Sequence, residues 1–83
     1  MKLQIHTIEK TLFDGDIQSV TLATETGEIT VLENHLPLVT LVRPGIVQIL
    51  DKDGKKHIIN FSSYESGFLE VRPEHEGITL LAG

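Results

Sequence analysis

The chain of 83 residues has no Cys and no Trp, and only three Phe and one Tyr. Without Cys there is neither a disulfide framework nor a thiolate metal site to brace the fold. With so few aromatics the core has to be aliphatic, at roughly 1.5–3 kcal/mol for each fully buried Val, Leu or Ile. Positive charge is scarce too: seven Lys and Arg against twelve Asp and Glu leave a formal net charge of −5, and only Lys55 and Lys56 are adjacent. Affinity for nucleic acid comes chiefly from clustered Lys and Arg that neutralise phosphates. Nucleic acid is therefore not an expected partner, and neither is a bare anionic membrane surface.

Long apolar runs are missing as well. No window approaches the ~18 apolar residues that a membrane span needs, and no apolar stretch of the signal-peptide kind follows Met1. The expectation is one soluble domain over residues 1–83, with no direct membrane insertion. The lack of Cys fits a reducing compartment. No window repeats apolar residues at helical spacing for three turns without a Gly or Pro intervening.

Short alternating segments are abundant instead. "KLQIHTIE" sets Leu3 and Ile5 against Lys2, Gln4 and His6, the pattern of a half-buried strand. "FDGD" reads as a turn in which Asp14-Gly15 supplies positive φ. "IQSVTLAT" and "EITVL" are strands about the turn "ETGE". "LVTLV" lies between Pro37 and Pro44, and prolines suit strand ends because they cannot donate to a ladder. Pro44-Gly45 matches a type II turn. "IVQIL" and "KKHIINF" flank "DKDG", a hairpin signal read as a type I′ turn at Asp53-Gly54. "SGFLEVR" and "GITLLA" close the chain. Turns every 8–12 residues without a helical pattern predict an all-β fold, a sandwich of two antiparallel sheets or a small barrel.

The search for chemistry finds little. His6, His35, His57 and His75 have no spacing that brings metal ligands together on a hairpin or helix. Glu74, His75 and Glu76 are consecutive and point to opposite faces of an extended chain. Ser62-Ser63 has no nucleophile elbow around it, and no glycine pattern cradles phosphate. With twelve carboxylates a chance pair remains open, but nothing selects one. The expectation is a protein that is not an enzyme, with no cofactor, no metal and no small-molecule substrate.

What remains is two strands that are apolar on both faces. In the strand between the prolines, Leu38, Thr40 and Val42 point one way and Val39 and Leu41 the other. In the next, Val47 and Ile49 alternate with Ile46, Gln48 and Leu50. One side of each meets the core. The other is covered by loops or forms an exposed apolar patch, and such patches mark protein interfaces. The reading puts Val39 and Leu41 in the core.

The chain resembles the N-terminal β-sandwich domain of the epsilon subunit of the rotary ATP synthase, in the epsilon/delta family. The resemblance rests on order and spacing: Leu12-Phe13-Asp14-Gly15, then Gly27-Glu28-Ile29-Thr30-Val31-Leu32-Glu33-Asn34-His35-Leu36-Pro37-Leu38-Val39-Thr40, then Pro44-Gly45. It continues through Gly67-Phe68-Leu69-Glu70-Val71 with Arg72-Pro73 and Ile78-Thr79-Leu80-Leu81-Ala82. Thr30, Asn34 and Leu36 stand where the family usually has Gly, Gly and Ala, and Gly83 where it often has Asp. The resemblance stops before the family's C-terminal helical hairpin, so the inhibitory and ATP-binding roles of that hairpin are not carried over. A start at Met without a tag leans toward a natural short form.

The resemblance implies a non-catalytic central-stalk (rotor) subunit of a proton-translocating ATP synthase. Such a subunit binds the gamma subunit and rests on the polar loops of the c-ring. It is peripheral, at the cytoplasmic face of the bacterial inner membrane. Carried over residue by residue, Gly27 and Glu28 face the c-ring, and His35, Leu38 and Thr40 face gamma. A generic β-sandwich interaction module, or a small cupin-like metal protein using some of the four His, are the alternatives.

Overall fold

Strand β2 organises the molecule. It runs from Thr11 to Thr24, and at about 3.3 Å per residue a straight strand of that length would exceed the 28 Å longest dimension of the protein. It bends instead, and its two halves belong to different layers. In the computed structural model, which describes residues 1–33, 37–61, 67–72 and 77–82, the other strands are β1 (Lys2–His6), β3 (Gly27–Leu32), β4 (Leu38–Val42), β5 (Ile46–Asp51), β6 (Lys56–Asn60), β7 (Gly67–Arg72) and β8 (Gly77–Ala82). The described residues contain no helix.

The first half of β2 pairs with β1, which continues through β8 and β7 to β4. The second half lies between β3 and β5, and β6 completes that layer. The layers meet again where Val42 pairs with Thr24. The result is the expected all-β sandwich, with one difference. β1 runs parallel to β8, because the first and last strands lie side by side with no connection between them to impose opposite directions.

Two turn expectations yield to tertiary structure. "FDGD" is not a turn: Asp14 and Gly15 pair with Gln4 and Leu3 inside β2, and Gly15 does not have positive φ. Its missing side chain suits a strand about to bend between layers. A bulge between Ile17 and Ser19 then rephases the strand, so that Ile17 and, after it, Val20 and Leu22 all point inward. Pro44-Gly45 does not make a type II turn either, since Gly45 has φ 153°, well beyond the ~80° of that turn.

The β5–β6 hairpin forms where expected but with a different turn. The Gly54 N–H donates to the Asp51 carbonyl at 3.0 Å, and the Asp51 N–H donates to the Lys55 carbonyl at 2.9 Å. Lys52 and Asp53 are therefore the central residues, and Gly54, at φ 84°, is the left-handed residue of a three-residue loop. The Asp51 carboxylate selects this form by accepting the Asp53 and Lys55 N–H groups, each at 2.9 Å. An aspartate that bonds its own turn competes with the type I′ geometry.

Among the described residues the core is aliphatic with one fully buried aromatic. Leu3 and Ile5 of β1, Leu69 and Val71 of β7, and Ile78 and Leu80 of β8 meet Val20, Leu22, Val31, Val47 and Ile49 of the opposing layer. Phe61, after β6, is fully buried among them. The buried Thr24 is satisfied locally: its hydroxyl donates to the Gly27 carbonyl at 2.8 Å and accepts the Thr26 N–H at 3.3 Å, which closes the β2–β3 hairpin.

Candidate interaction surface

β4 decides which face of the five-strand layer is available to a partner. Val42 is 2% exposed, whereas Val39 is 59% and Leu41 is 47% exposed. Leu38 packs against the core, and Thr40 is half-buried. The inward and outward sets are thus the reverse of those assigned from sequence. β4 is apolar on both sides, so alternation could not settle the parity. It is set by the pairing of Val42 with Thr24, a residue that points into the core.

The outward side chains of β4 do not stand alone. Leu41 pairs with Phe68, and Phe68 with Leu81. All three are exposed and form a row across β4, β7 and β8. With strands about 4.8 Å apart, this row with Val39 makes a continuous apolar strip. Val39 pairs with Glu70, whose carboxylate meets the Arg72 Nε at 3.3 Å, so a polar pair borders the strip. Phe68 and Leu81 were missed from sequence. Their signal was the alternation in "GFLEVR", where Phe68 shares a side with Glu70 and Arg72.

Gly27 and Glu28 begin β3, immediately after the tight Glu25-Thr26 turn, and both are exposed. Gly27 takes φ 123°, which L side chains avoid. Gly27 pairs with Thr24, and Thr24 with Val42, so this hairpin adjoins the end of β4 that carries Leu41. His35 lies outside the described residues, as do Ser62-Ser63 and the stretch from Glu74 to Glu76.

The described histidines have structural partners. His6 Nδ1 lies 3.0 Å from the Thr11 hydroxyl. His57 Nε2 donates to Asp51 Oδ2 at 2.8 Å, and its ring meets the edge of Phe13 at 5.4 Å between centroids. The hydrogen bond from His57, with that from the Lys55 N–H, holds the Asp51 carboxyl below the ordinary carboxylate range. Among the described residues no three His, Asp or Glu side chains converge as metal ligands. The arrangement can pack against an apolar protein surface.

Fold and surface together define a small β-sandwich that presents one apolar strip. Residues 1–83 match the ATP synthase delta/epsilon chain β-sandwich domain, and the chain belongs to that family. It is 46% identical over 59 residues to the ATP synthase epsilon chain of a Nitratiruptor species, a match covering 71% of this chain and 46% of that one. The matched part is thus about half of the relative's length. The fold is similar to a chain in the mitochondrial ATP synthase of Euglena gracilis, with a TM-score of 0.80 at 22% identity over 96% of this chain and 48% of that one. It is also similar to a chain in the central stalk and c-ring structure of the Tetrahymena thermophila mitochondrial ATP synthase, with a TM-score of 0.70 at 16% identity over 99% and 62%.

Proposed function

We propose that this domain is a non-catalytic rotor subunit of a rotary proton-translocating ATP synthase, joining the gamma subunit to the polar loops of the c-ring. The observation that carries the reading is the strip of Leu41, Phe68 and Leu81 with Val39, apolar and exposed, in a chain that belongs to the delta/epsilon family. This strip is the gamma-binding face. Val39 and Leu41 make the contact, while Leu38 and Thr40 hold β4 in place from the inner side.

The c-ring contact is assigned to Gly27 and Glu28. The tight β2–β3 hairpin projects the Glu28 carboxylate, which has no ion-pair partner among the described residues. A basic loop on the ring matches it, although an exposed pair contributes only about 0–1 kcal/mol. Most of the binding energy therefore comes from the apolar face. No helix among the described residues is long and apolar enough to cross a membrane. In this reading the domain is held peripherally, at the cytoplasmic face of the bacterial inner membrane, by its protein partners.

Co-expression with the gamma subunit tests the proposal. The two should elute as one complex in gel filtration at physiological salt, since apolar contacts survive screening. Separate elution at micromolar concentration would instead favour an interaction module of some other assembly.

A further inference from the structure

β4 is an edge strand along most of its length. It pairs with β7 from Leu38 to Val42, but with β2 only where Val42 meets Thr24. The next residue, Arg43, donates its N–H to the Ala23 carbonyl at 2.9 Å. Successive residues of a strand turn their backbone groups to opposite edges. Leu41 and Val39 therefore turn theirs the same way as Arg43, along the stretch that β2 no longer accompanies. Among the described residues, the Leu41 N–H and both backbone groups of Val39 have no hydrogen-bond partner.

An open edge is a template for pairing with another chain, and charged residues, prolines and bulges are what usually block it. The other open edges carry charge: Asp14 in the first half of β2, Glu28 on β3 and Lys56 on β6. β4 carries neither charge nor proline between Leu38 and Val42, and its pairing with β7 has no bulge. The edge is also continuous with the apolar strip, because Val39 and Leu41 supply both. Their side chains stand on the open face, and their backbone groups line the open edge. A strand laid along β4 would continue the layer from β8 and β7, and would lengthen the row of Leu81, Phe68 and Leu41 by one side chain.

Resting on the reading of the strip as the gamma-binding face, we infer that the gamma subunit adds an extended segment to the open edge of β4. Its main chain bonds the backbone groups of Val39 and the Leu41 N–H. Its alternate side chains, uncharged and apolar, lie on the side shared with Val39 and Leu41. In strand addition the main-chain bonds supply affinity and the alternate side chains supply specificity. A helix laid across the strip would cover the same side chains and leave the edge unpaired, so the two modes differ in what happens to these amides.

The test is amide hydrogen exchange of the 83-residue chain, free and in complex with the gamma subunit, with gamma binding by Val39→Pro beside it. In the free chain the Val39 and Leu41 amides should exchange about tenfold or more faster than that of Thr40, which faces β7. With gamma bound they should slow to the level of Thr40. Val39→Pro removes a donor from the open edge and none from the ladder with β7, so it should stay folded. It should weaken gamma about tenfold or more, and Val39→Ala, which keeps the N–H, should weaken it less. If Leu41→Glu loses gamma while Val39→Pro binds as wild type does, or while gamma leaves both amides fast, strand addition is wrong and the strip still binds. If wild type itself forms no complex with gamma, the reading of the strip fails and strand addition with it. Protection of the two amides that grows with the concentration of the free chain would give the edge to a second copy and overturn the inference.

Discussion

Gly67 and Phe61 fit each other as a gap and the ring that fills it. A Cβ built on Gly67 would stand 2.8 Å from Cε2 of Phe61 and 3.2 Å from the Leu81 carbonyl oxygen. The ring is completely buried and the carbonyl belongs to the β7–β8 ladder, so neither moves freely. Gly67→Ala should therefore destabilise the domain by about 1–3 kcal/mol through overpacking, read as a lower urea midpoint with an unchanged slope. An unchanged midpoint would show that the ring has room to shift.

The Asp51–His57 pair makes stability depend on acid. The Asp51 carboxyl is held low by the His57 hydrogen bond first and by the Lys55 N–H second. A carboxyl lower in the folded than in the unfolded state binds protons preferentially when unfolded. Its contribution is complete above the ordinary carboxylate range and is lost as pH falls through the lowered value. The gap in melting temperature between wild type and Asp51→Asn should narrow as pH drops from about 6 toward about 2. A gap that stays constant would rule out this origin.

Thr24→Val should cost about 1–3 kcal/mol although it adds no volume and no charge. The buried hydroxyl donates to the Gly27 carbonyl and accepts the Thr26 N–H, and Val leaves both without that partner. Hydrogen exchange of the Thr26 and Gly27 amides should accelerate in the variant. If stability and exchange both hold, water replaces the hydroxyl and the turn is not closed by it.

Much of this architecture was legible in the chain. Leu3 and Ile5 occupy the inward positions that alternation assigned them, because the other side of β1 is polar, whereas β5 is apolar on both sides and only the structure turns Val47 and Ile49 inward. β4 carried no such contrast, and its parity came out reversed. Gly15 signalled a turn by local chemistry, but pairing with Leu3 overrode it and left a bend within a strand. At "DKDG" the hairpin was evident, whereas its turn type depended on the Asp51 side chain, four residues before Lys55. The Asp51–His57 contact links residues six apart only because the hairpin folds them together. Phe68 and Leu81 become neighbours of Leu41 through pairings that no local pattern encodes.

The corrected parity gives two contrasting expectations. Val42→Ala, at a 2% exposed site, should destabilise by about 1–3 kcal/mol. Leu41→Ala, on the open face, should stay within about 0.5 kcal/mol, as exposed substitutions do. Paired urea titrations decide it, and the opposite order would restore the assignment of Leu41 to the core.

The central claim is that the strip of Val39, Leu41, Phe68 and Leu81 binds the gamma subunit. Calorimetric titration of gamma with Leu41→Glu tests it most directly, with Ile58→Glu on the other layer as the control. Both variants should be folded, because both sites are exposed. Leu41→Glu should weaken binding about tenfold or more, since an unpaired charge would be buried against the partner, while Ile58→Glu should bind as wild type does. A folded Leu41→Glu variant with wild-type affinity for gamma would contradict the account.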